Sequence, residues 1–316
     1  MILKIAFVGV GSIANRHIVN LHALLLSRGM DHEIDVYRRG ASAIDDPSVA
    51  GAVSHVYADT EVGQRDYDIL FITNPTSMHY ETLRHWCPHA KHMFIEKPVF
   101  DRLDCDIRAL PLRADGVYYV ACPLRYNAVL QYARQNIDMD RVFSARAICS
   151  SYLPEWRPGT DYRTCYSAHK DMGGGVAIDL VHEWDYLTWL MGFPQRVSYF
   201  GGTYSQLEID SDDLAVYMAQ YPRRIVELHL DYFGRKNQRT LQLFTAENVI
   251  TLDLRAGTVS YEGDGLCRTL QLDAARNQFQ TAELAHFLDI VQGRVPNDNT
   301  LENALRVLRL AQKGEV

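Results

Sequence analysis

The first part of the chain alternates short apolar runs with stretches of helical periodicity. Runs rich in β-branched and aromatic residues predict six strands, at Leu3–Val8, Glu33–Tyr37, Val53–Tyr57, Ile69–Thr73, His92–Ile95 and Val117–Ala121. After the first run, apolar residues recur at the spacing of one helical face, at Ala14, Ile18, Leu21 and Leu25. Strands that alternate with helices predict a doubly wound α/β domain with a parallel sheet over residues 1–121.

The pattern changes after Cys122. One helix (Ala128–Asn136) and one strand (Val142–Ser150) precede a polar, aromatic-rich loop over 151–172. Three glycines then open a predicted helix whose apolar stripe is Leu180, Trp184, Leu187 and Met191. Seven closely spaced strands follow between residues 197 and 272, the fourth of them over Thr240–Phe244, and two helices end the chain. These features predict a second, α+β domain with a large mixed or antiparallel sheet over residues 122–316.

Composition narrows the function classes. The chain has 316 residues and a formal net charge of −7, which disfavours a nucleic-acid or membrane surface. The apolar N-terminal run is too short to span a bilayer and lacks the basic start of a signal peptide, so we expect a cytoplasmic protein. The six cysteines are dispersed, which favours buried free thiols. The histidines show no ligand spacing, so we expect no catalytic metal.

A glycine-rich turn follows the first strand. Gly9-Val10-Gly11-Ser12-Ile13-Ala14 has the pattern G-x-G-x-x-A between an apolar strand and an amphipathic helix. The first glycine permits a tight turn and the second lets a pyrophosphate approach the backbone, while the N–H groups of the helix start, at Ser12 and Ile13, bind anionic oxygen. In this context the pattern predicts a dinucleotide site of the Rossmann type.

The end of the second strand bears on the choice of coenzyme. NAD sites usually carry an acidic residue there, whereas this chain has Arg38 and Arg39. Two guanidinium groups suit the 2′-phosphate of NADP, so NADP is favoured. Asp35 lies within the strand, and strand ends read from a sequence can be wrong by a residue or two, so NAD stays open.

Five segments resemble the Gfo/Idh/MocA family of NAD(P)-dependent oxidoreductases, and together they cover nearly the whole chain. They are GVGSIANRH after the first strand, TNPTSMHYETL after the fourth, FIEKPV after the fifth, GGGVAIDLVHEWDYLTWLMG in the second domain and AELAHFLDIVQGRVPNDNTLENALRVL near the end. EKP combined with the glycine-led Asp/His helix is the specific feature of this set.

The resemblance implies that the lysine of EKP, Lys97, lies beside the nicotinamide and contacts the reacting hydroxyl, with Glu96 and Pro98 shaping the turn. Oxidation of an alcohol removes a hydride and a proton, so the hydroxyl needs a nearby group that stabilises developing negative charge. A lysine at the carboxyl end of a strand can do this as a cation or as a base.

The resemblance also implies that Asp179 and His182 serve as an acid/base pair. The usual family spacing is Asp-x-x-x-His, and here it is one residue shorter. On one continuous helix, residues three apart occupy neighbouring positions, and a carboxylate can set the tautomer of a histidine. We favour His182 as the acid/base and Lys97 as its electrostatic partner, although the sequence leaves the reverse assignment open. Both groups are expected to act at one nicotinamide ring.

Further site residues follow from the resemblance or from their position. The loop containing Asn74, Pro75, Thr76 and His79 matches the family segment beside the nicotinamide ribose and pyrophosphate, and Arg125 matches a family arginine near the nicotinamide end of the coenzyme. The polar loop in the second domain offers hydrogen-bonding and stacking groups for a carbohydrate, at Trp156, Asp161, Tyr162 and Arg163. Asp231, Tyr232 and Arg239 are weaker candidates.

The predicted activity is hydride transfer between NADP(H), or NAD(H), and a secondary alcohol or ketone of a sugar, sugar derivative or polyol. Two alternatives remain open, a redox-neutral glycosidase or lyase of the same fold and a non-catalytic coenzyme-binding sensor. The aromatic strands of the second sheet, and the resemblance, imply a homodimer or homotetramer.

Overall fold

The structure, a computed structural model, describes residues 2–40, 44–61, 63–263 and 265–316. The chain forms two compact units. The first comprises Met1–Ala121 and Gln280–Leu305, and the second comprises Cys122–Phe279 and Arg306–Val316. The segment 280–305, which the sequence-based division placed in the second domain, therefore groups with the first unit. It does so because Phe287 packs on the rings of Phe71 and Phe94, and the side-chain amide of Asn299 donates to the Val120 carbonyl.

The first unit contains a parallel sheet of six strands in the order β3-β2-β1-β4-β5-β6. This is the doubly wound order: β1 to β3 extend the sheet to one side and β4 to β6 extend it to the other, so the switch point lies between β1 and β4. Both neighbours of β1 pair with it in parallel, and the middles of β1, β4 and β5 are fully buried apolar runs. The strands are β1 (Leu3–Val8), β2 (His32–Arg38), β3 (His55–Ala58), β4 (Tyr67–Ile72), β5 (Ala90–Ile95) and β6 (Tyr118–Val120).

The first helix follows β1 as the apolar periodicity predicted. All four residues of the predicted face of the first helix are fully buried. A short helix that the sequence did not predict begins at Pro47, where the side chain of Asp46 accepts from the amide of Ser48. The helices of this half are α1 (Ser12–Ser27), α2 (Pro47–Ala50) and α3 (His79–Trp86).

The second unit contains a mixed sheet of eight strands in the order β14-β13-β12-β11-β7-β10-β9-β8. All neighbouring pairs are antiparallel except β7 and β10, which run parallel. The predicted fold class is therefore confirmed for both halves. The strands are β7 (Ser144–Tyr152), β8 (Arg196–Gly202), β9 (Leu214–Gln220), β10 (Ile225–Asp231), β11 (Phe233–Phe244), β12 (Val249–Asp253), β13 (Thr258–Gly263) and β14 (Leu266–Gln271).

The remaining helices are α4 (Ala128–Asn136), α5 (Val176–Asp179), α6 (His182–Met191), α7 (Arg276–Val291) and α8 (Leu301–Lys313). The prediction of one continuous helix after the three glycines is wrong. Leu180 has a ψ of +26°, so the chain leaves α5 there and resumes as α6 at His182. The stripe that suggested one helix is nevertheless largely buried, because Leu180, Trp184 and Leu187 still face the core.

Two smaller expectations also change. Strand β11 begins seven residues before the predicted Thr240, because a polar stretch pairs with β7 across a register shift. Five cysteines are buried free thiols, as expected, whereas Cys267 on strand β14 is exposed. In the part of the chain that the structure describes, no helix is long and apolar enough to cross a membrane.

Candidate coenzyme and catalytic residues

The glycine-rich turn lies at the reversal point of the first sheet. Gly9 follows β1 with a φ of +90°, a conformation that side-chain-bearing residues rarely adopt. A Cβ built on Gly9 would lie 2.5 Å from Cα of Asn74, which follows β4. The hydroxyl of Thr73 donates to the Gly9 carbonyl at 2.7 Å and holds the two strand ends together. Glycine is therefore required here for close approach of two backbone segments.

The second glycine has a different environment. Gly11 is the N-cap of α1, and its φ of −117° is accessible to any residue. A Cβ at Gly11 would meet nothing within 4 Å among the described residues. Since Gly11 offers no capping side chain, it leaves the first amides of the helix, at Ser12 and Ile13, without a side-chain cap. A helix N-terminus of this kind fits an anionic pyrophosphate.

The end of β2 carries basic side chains. The strand ends at Arg38, which is partly buried, and Arg39 is exposed. Asp35 lies three residues before this end and is 2 % exposed. Its carboxylate accepts from the hydroxyl of Tyr67 at 2.9 Å and contacts Nδ1 of His55 at 3.0 Å. Asp35 is therefore engaged inside the strand rather than at its carboxyl end.

The buried side chain of His79 contacts the backbone of the loop after β4. The ring is 1 % exposed, with Nε2 lying 3.1 Å from the Asn74 carbonyl and Nδ1 lying 3.2 Å from the Val99 carbonyl. Burial lowers the pKa of His79, against the effect of these carbonyl contacts. Pro75 is exposed and precedes a 3-10 turn that begins at Thr76. His79 thus ties this loop to the segment after β5.

The EKP segment follows β5. Oε1 of Glu96 lies 2.6 Å from Nε2 of His17 on α1, and Oε2 accepts from the backbone N–H of Lys97 at 3.2 Å. Burial alone would raise the pKa of Glu96, but the hydrogen bond and charge of His17, together with Lys97, lower it. Glu96 therefore connects helix α1 to the backbone of Lys97. Sequence reasoning did not identify His17, although it lies within the motif GVGSIANRH.

Asp179 and His182 belong to the second unit. Asp179 is the last residue of α5 and is 7 % exposed, while His182 is the first residue of α6 and is partly buried. The hydroxyl of Tyr232 donates to the Asp179 carboxylate at 2.6 Å. Burial and the charge of Asp179 raise the pKa of Tyr232 well above its ordinary value. Tyr232, a weak candidate from the sequence, therefore belongs to the surroundings of Asp179.

Two acidic residues of helix α6 form ion pairs with arginines from other parts of the second unit. Arg125 is 3 % exposed and binds both carboxylate oxygens of Asp185, at 3.0 and 2.6 Å. Nε of Arg239 donates to the fully buried Glu183 at 2.8 Å. Arg125, predicted to bind coenzyme, thus has a bidentate partner within its own unit. Its contact with coenzyme stays a prediction.

The aromatic loop supplies a small cavity. Leu153, Trp156, Thr160 and Ser167 are among its lining residues. The indole N–H of Trp156 donates to Ser151, and its ring lies edge-on to Tyr232 at 5.2 Å between centroids. Trp156 therefore joins the loop to the tyrosine that binds Asp179.

The other predicted substrate residues of this loop are held by local contacts. Asp161 and Arg163 form an exposed ion pair, and Arg163 also binds Glu208. The hydroxyl of Tyr162 accepts from the backbone of Glu208. The guanidinium and carboxylate of this loop therefore neutralise each other.

Comparisons with known proteins agree with this architecture. An oxidoreductase family model with an NAD-binding Rossmann fold matches residues 3–108, and the GFO/IDH/MocA C-terminal domain model matches residues 130–251. No curated protein matches the chain.

Several solved structures share the fold. Levoglucosan dehydrogenase, in complex with NADH and levoglucosan, is 15% identical with a TM-score of 0.79 over 98% of this chain and 95% of that chain. UDP-N-acetylglucosamine 3-dehydrogenase from Acidithiobacillus ferrooxidans is 18% identical with a TM-score of 0.75 over 98% and 96%. Biliverdin reductase from Synechocystis sp. PCC 6803, in complex with biliverdin and NADP+, is 17% identical with a TM-score of 0.76 over 98% and 96%. At these identities the likeness shows the fold alone.

The two family matches together cover most of the chain. The first includes the glycine-rich turn, and the second includes strands β7 to β11 of the mixed sheet. They confirm both the resemblance seen in the motifs and the predicted class of enzyme. The chain belongs to the Gfo/Idh/MocA family of NAD(P)-dependent oxidoreductases.

Proposed function

We propose that the protein transfers a hydride between NADP(H) and a secondary alcohol or ketone of a sugar, sugar derivative or polyol. The observation that carries the proposal is the position of Lys97. It follows β5, on the sheet that carries the glycine-rich turn, and its backbone N–H donates to the partly buried carboxylate of Glu96. A lysine held in this way can bind the oxygen of a reacting alcohol.

The residues around the turn fit a dinucleotide. The open space at Gly11 and the amides of Ser12 and Ile13 would hold the pyrophosphate, and Arg38 and Arg39 would hold a 2′-phosphate. The preference for NADP is part of the proposal. It is supported by the absence of an acidic residue directly after β2 in the sequence and by the engagement of Asp35 within the strand.

Coenzyme preference can be tested by fluorescence titration. Arg39→Ala should weaken NADPH binding by about 10- to 100-fold, because each charge-assisted hydrogen bond contributes about 1.5–3 kcal/mol. NADH binding should change by less than about threefold, since it lacks the phosphate. Arg84→Ala, which removes an exposed arginine paired with Glu81, is the matched control. Equal losses for both coenzymes would contradict the assignment.

The proposed chemistry assigns one task to each side chain. A bound nicotinamide supplies the hydride acceptor, or the donor in the reverse direction. Lys97 binds the hydroxyl oxygen, and His182 takes the hydroxyl proton as the adjacent carbon loses its hydride. Asp179 supports the charged form of the histidine, while Tyr232 fixes the carboxylate by donating to it.

Two substitutions distinguish the roles of lysine and histidine. His182→Asn should lower kcat by about 10²- to 10⁴-fold and remove the ionisation near neutral pH from the profile. Lys97→Arg keeps a cation, so it should keep that ionisation even where the rate falls. If the neutral ionisation instead disappears with Lys97→Arg and persists with His182→Asn, the lysine is the proton-transfer group.

The substrate class is part of the proposal. Two of the structurally similar proteins are dehydrogenases named for sugar substrates, levoglucosan and UDP-N-acetylglucosamine, whereas a third is a biliverdin reductase. In this chain the loop around Trp156 offers an aromatic ring and nearby hydroxyl groups, which are the residue types that suit a carbohydrate. A panel of sugars, polyols and sugar nucleotides, assayed with NADP and NAD by absorbance at 340 nm, tests this. Turnover of biliverdin alone would overturn the substrate class.

The second sheet supports a proposed homodimer or homotetramer. Its exposed side chains include Phe200, Met218 and Ile225, which are 69%, 47% and 40% exposed. Large apolar side chains that are neighbours on a sheet face usually become buried in an assembly. Light scattering at micromolar concentration should give at least twice the mass of one chain. Phe200→Glu should lower that mass, and a monomeric wild-type protein would refute the proposal.

A further inference from the structure

We propose that His17 is a positioning residue for the catalytic lysine, acting through Glu96. The inference rests on the proposed role of Lys97 and extends it to a residue on a different element. His17 lies on α1, one turn beyond the glycine-rich segment, while Glu96 and Lys97 follow β5. The carboxylate of Glu96 is shared between the histidine and the backbone of the lysine.

The geometry of this link is specific. Nε2 of His17 lies 2.6 Å from one carboxylate oxygen, and the other oxygen accepts the Lys97 amide proton at 3.2 Å. The side chains of His17 and Glu96 are 1% and 12% exposed. The imidazole packs against Phe71 and Phe94, with ring centroids 6.2 and 5.2 Å away. Its other ring nitrogen has no partner among the described residues, so the link to Glu96 is the polar contact that holds the ring.

The apolar surroundings make His17 necessary for keeping the carboxylate of Glu96 ionised. A largely buried carboxylate that loses one of its two donors shifts towards its protonated form, because burial penalises the charge. The titratable groups around Glu96 are His17 on α1, Lys97 beside it and His79 on α3. Of these, His17 makes the side-chain hydrogen bond. Without it, Glu96 would take up a proton at a higher pH and lose its connection to α1.

The consequence concerns where the lysine lies. The amide of Lys97 is held by a carboxylate that is itself anchored to the helix of the coenzyme turn. Loss of that anchor lets the lysine shift relative to the turn, and a shift of about 1 Å in an active-site group can lower a rate by about 100-fold. Coenzyme affinity, which depends on the glycine turn, should change little.

The test compares His17→Leu with His17→Gln, whose amide can reach the same carboxylate. His92→Leu is the matched control, since His92 is a buried histidine on β5 that accepts from the Val117 amide. His17→Leu should lower kcat by about 10- to 100-fold with the coenzyme KM changed by less than about threefold. His17→Gln should restore most of the rate, and His92→Leu should leave kcat unchanged.

A pH profile provides a readout that loss of stability alone would not change. Ketone reduction is the informative direction, because the protonated acid/base is the active form there. The wild-type rate should stay level down to about pH 5, whereas the rate of His17→Leu should fall there as Glu96 takes up its proton. A His17→Leu enzyme with the wild-type kcat and profile would overturn the proposal.

A measurement without substrate separates this inference from the proposed function. In the coenzyme-free wild-type protein, the NMR signal of the His17 Nε2 proton should lie far downfield because of the short bond to a carboxylate. Glu96→Gln should move it upfield. Absence of a downfield signal in the wild type overturns the role of His17 even where sugar oxidation is observed. Its presence in a protein that oxidises no sugar means that only the proposed function fails.

Discussion

Alanine substitution at the two glycines of the glycine-rich turn should affect two different properties of the protein. Gly9→Ala places a Cβ 2.5 Å from Cα of Asn74 and forces alanine to adopt a φ of +90°. Gly11→Ala places a Cβ where nothing among the described residues lies within 4 Å, at an ordinary φ of −117°. We therefore expect Gly9→Ala to damage the fold and Gly11→Ala to damage coenzyme binding.

The magnitudes follow from this geometry. The left-handed conformation costs alanine about 1–2 kcal/mol. Ordinary contact begins at 3.4 Å, so the Asn74 backbone must move by about 1 Å, and overpacking of this kind costs about 1–3 kcal/mol. Gly9→Ala should therefore lower the free energy of unfolding by about 2–5 kcal/mol. For Gly11→Ala, the loss of a favourable N-cap and the gain in chain entropy largely cancel, within about 1 kcal/mol.

Two assays separate the effects. Urea unfolding of the coenzyme-free protein measures the first, and quenching of tryptophan fluorescence by NADPH measures the second. Gly11→Ala should weaken NADPH binding by about tenfold or more, equivalent to about 1.4 kcal/mol, because its methyl group occupies the space proposed for pyrophosphate. The reasoning is refuted if Gly9→Ala is as stable as the wild type, or if Gly11→Ala binds NADPH with unchanged affinity.

Three further predictions concern buried polar pairs. Arg125→Ala should lower the free energy of unfolding by about 3–5 kcal/mol, because it leaves the carboxylate of Asp185 buried without its partner. Urea unfolding measures this loss, and a clearly smaller loss would contradict the prediction. Tyr232→Phe should lower the free energy of unfolding by about 1–3 kcal/mol, because the Asp179 carboxylate loses its donor; an unchanged urea midpoint would contradict this. The pKa of Glu96 is lowered from its ordinary 4.5, so its stabilisation is present above about pH 4.5 and is lost as the pH falls through the folded-state pKa. Unfolding measured between about pH 6 and 3 should therefore depend less on pH in Glu96→Gln than in the wild type.

Elements with strong local signals could be predicted from the sequence. Strand β1 and helix α4 have the predicted bounds, because an apolar run beside a glycine turn and an Asn127 cap are local features. The break between α5 and α6 was not predicted, since the apolar stripe keeps its spacing across Leu180. The start of β11 was missed because its residues are polar and take their strand conformation from pairing with β7.

The candidate site also has features that the sequence predicts and features that it does not. The glycine turn, the basic end of β2 and the EKP lysine carry recognisable residue types at fixed distances from predicted strands. The contacts that these residues make could not be predicted from the sequence. Asp35 binds Tyr67, which lies 32 residues away, and Glu96 binds His17, which lies 79 residues away. Such partners depend on how the strands and helices are arranged in the folded domain, and periodicity carries no information about that.

The amino-acid sequence alone determined the parallel and mixed sheets, the family and the residue types available for coenzyme and proton chemistry, because these follow from local patterning and short motifs. Tertiary structure decided which of these groups are already engaged. Arg125 is bound to Asp185, Asp179 accepts from Tyr232, and His17 is joined to Glu96. The physical reason is that a buried charge must find a partner, and folding selects that partner from distant parts of the chain.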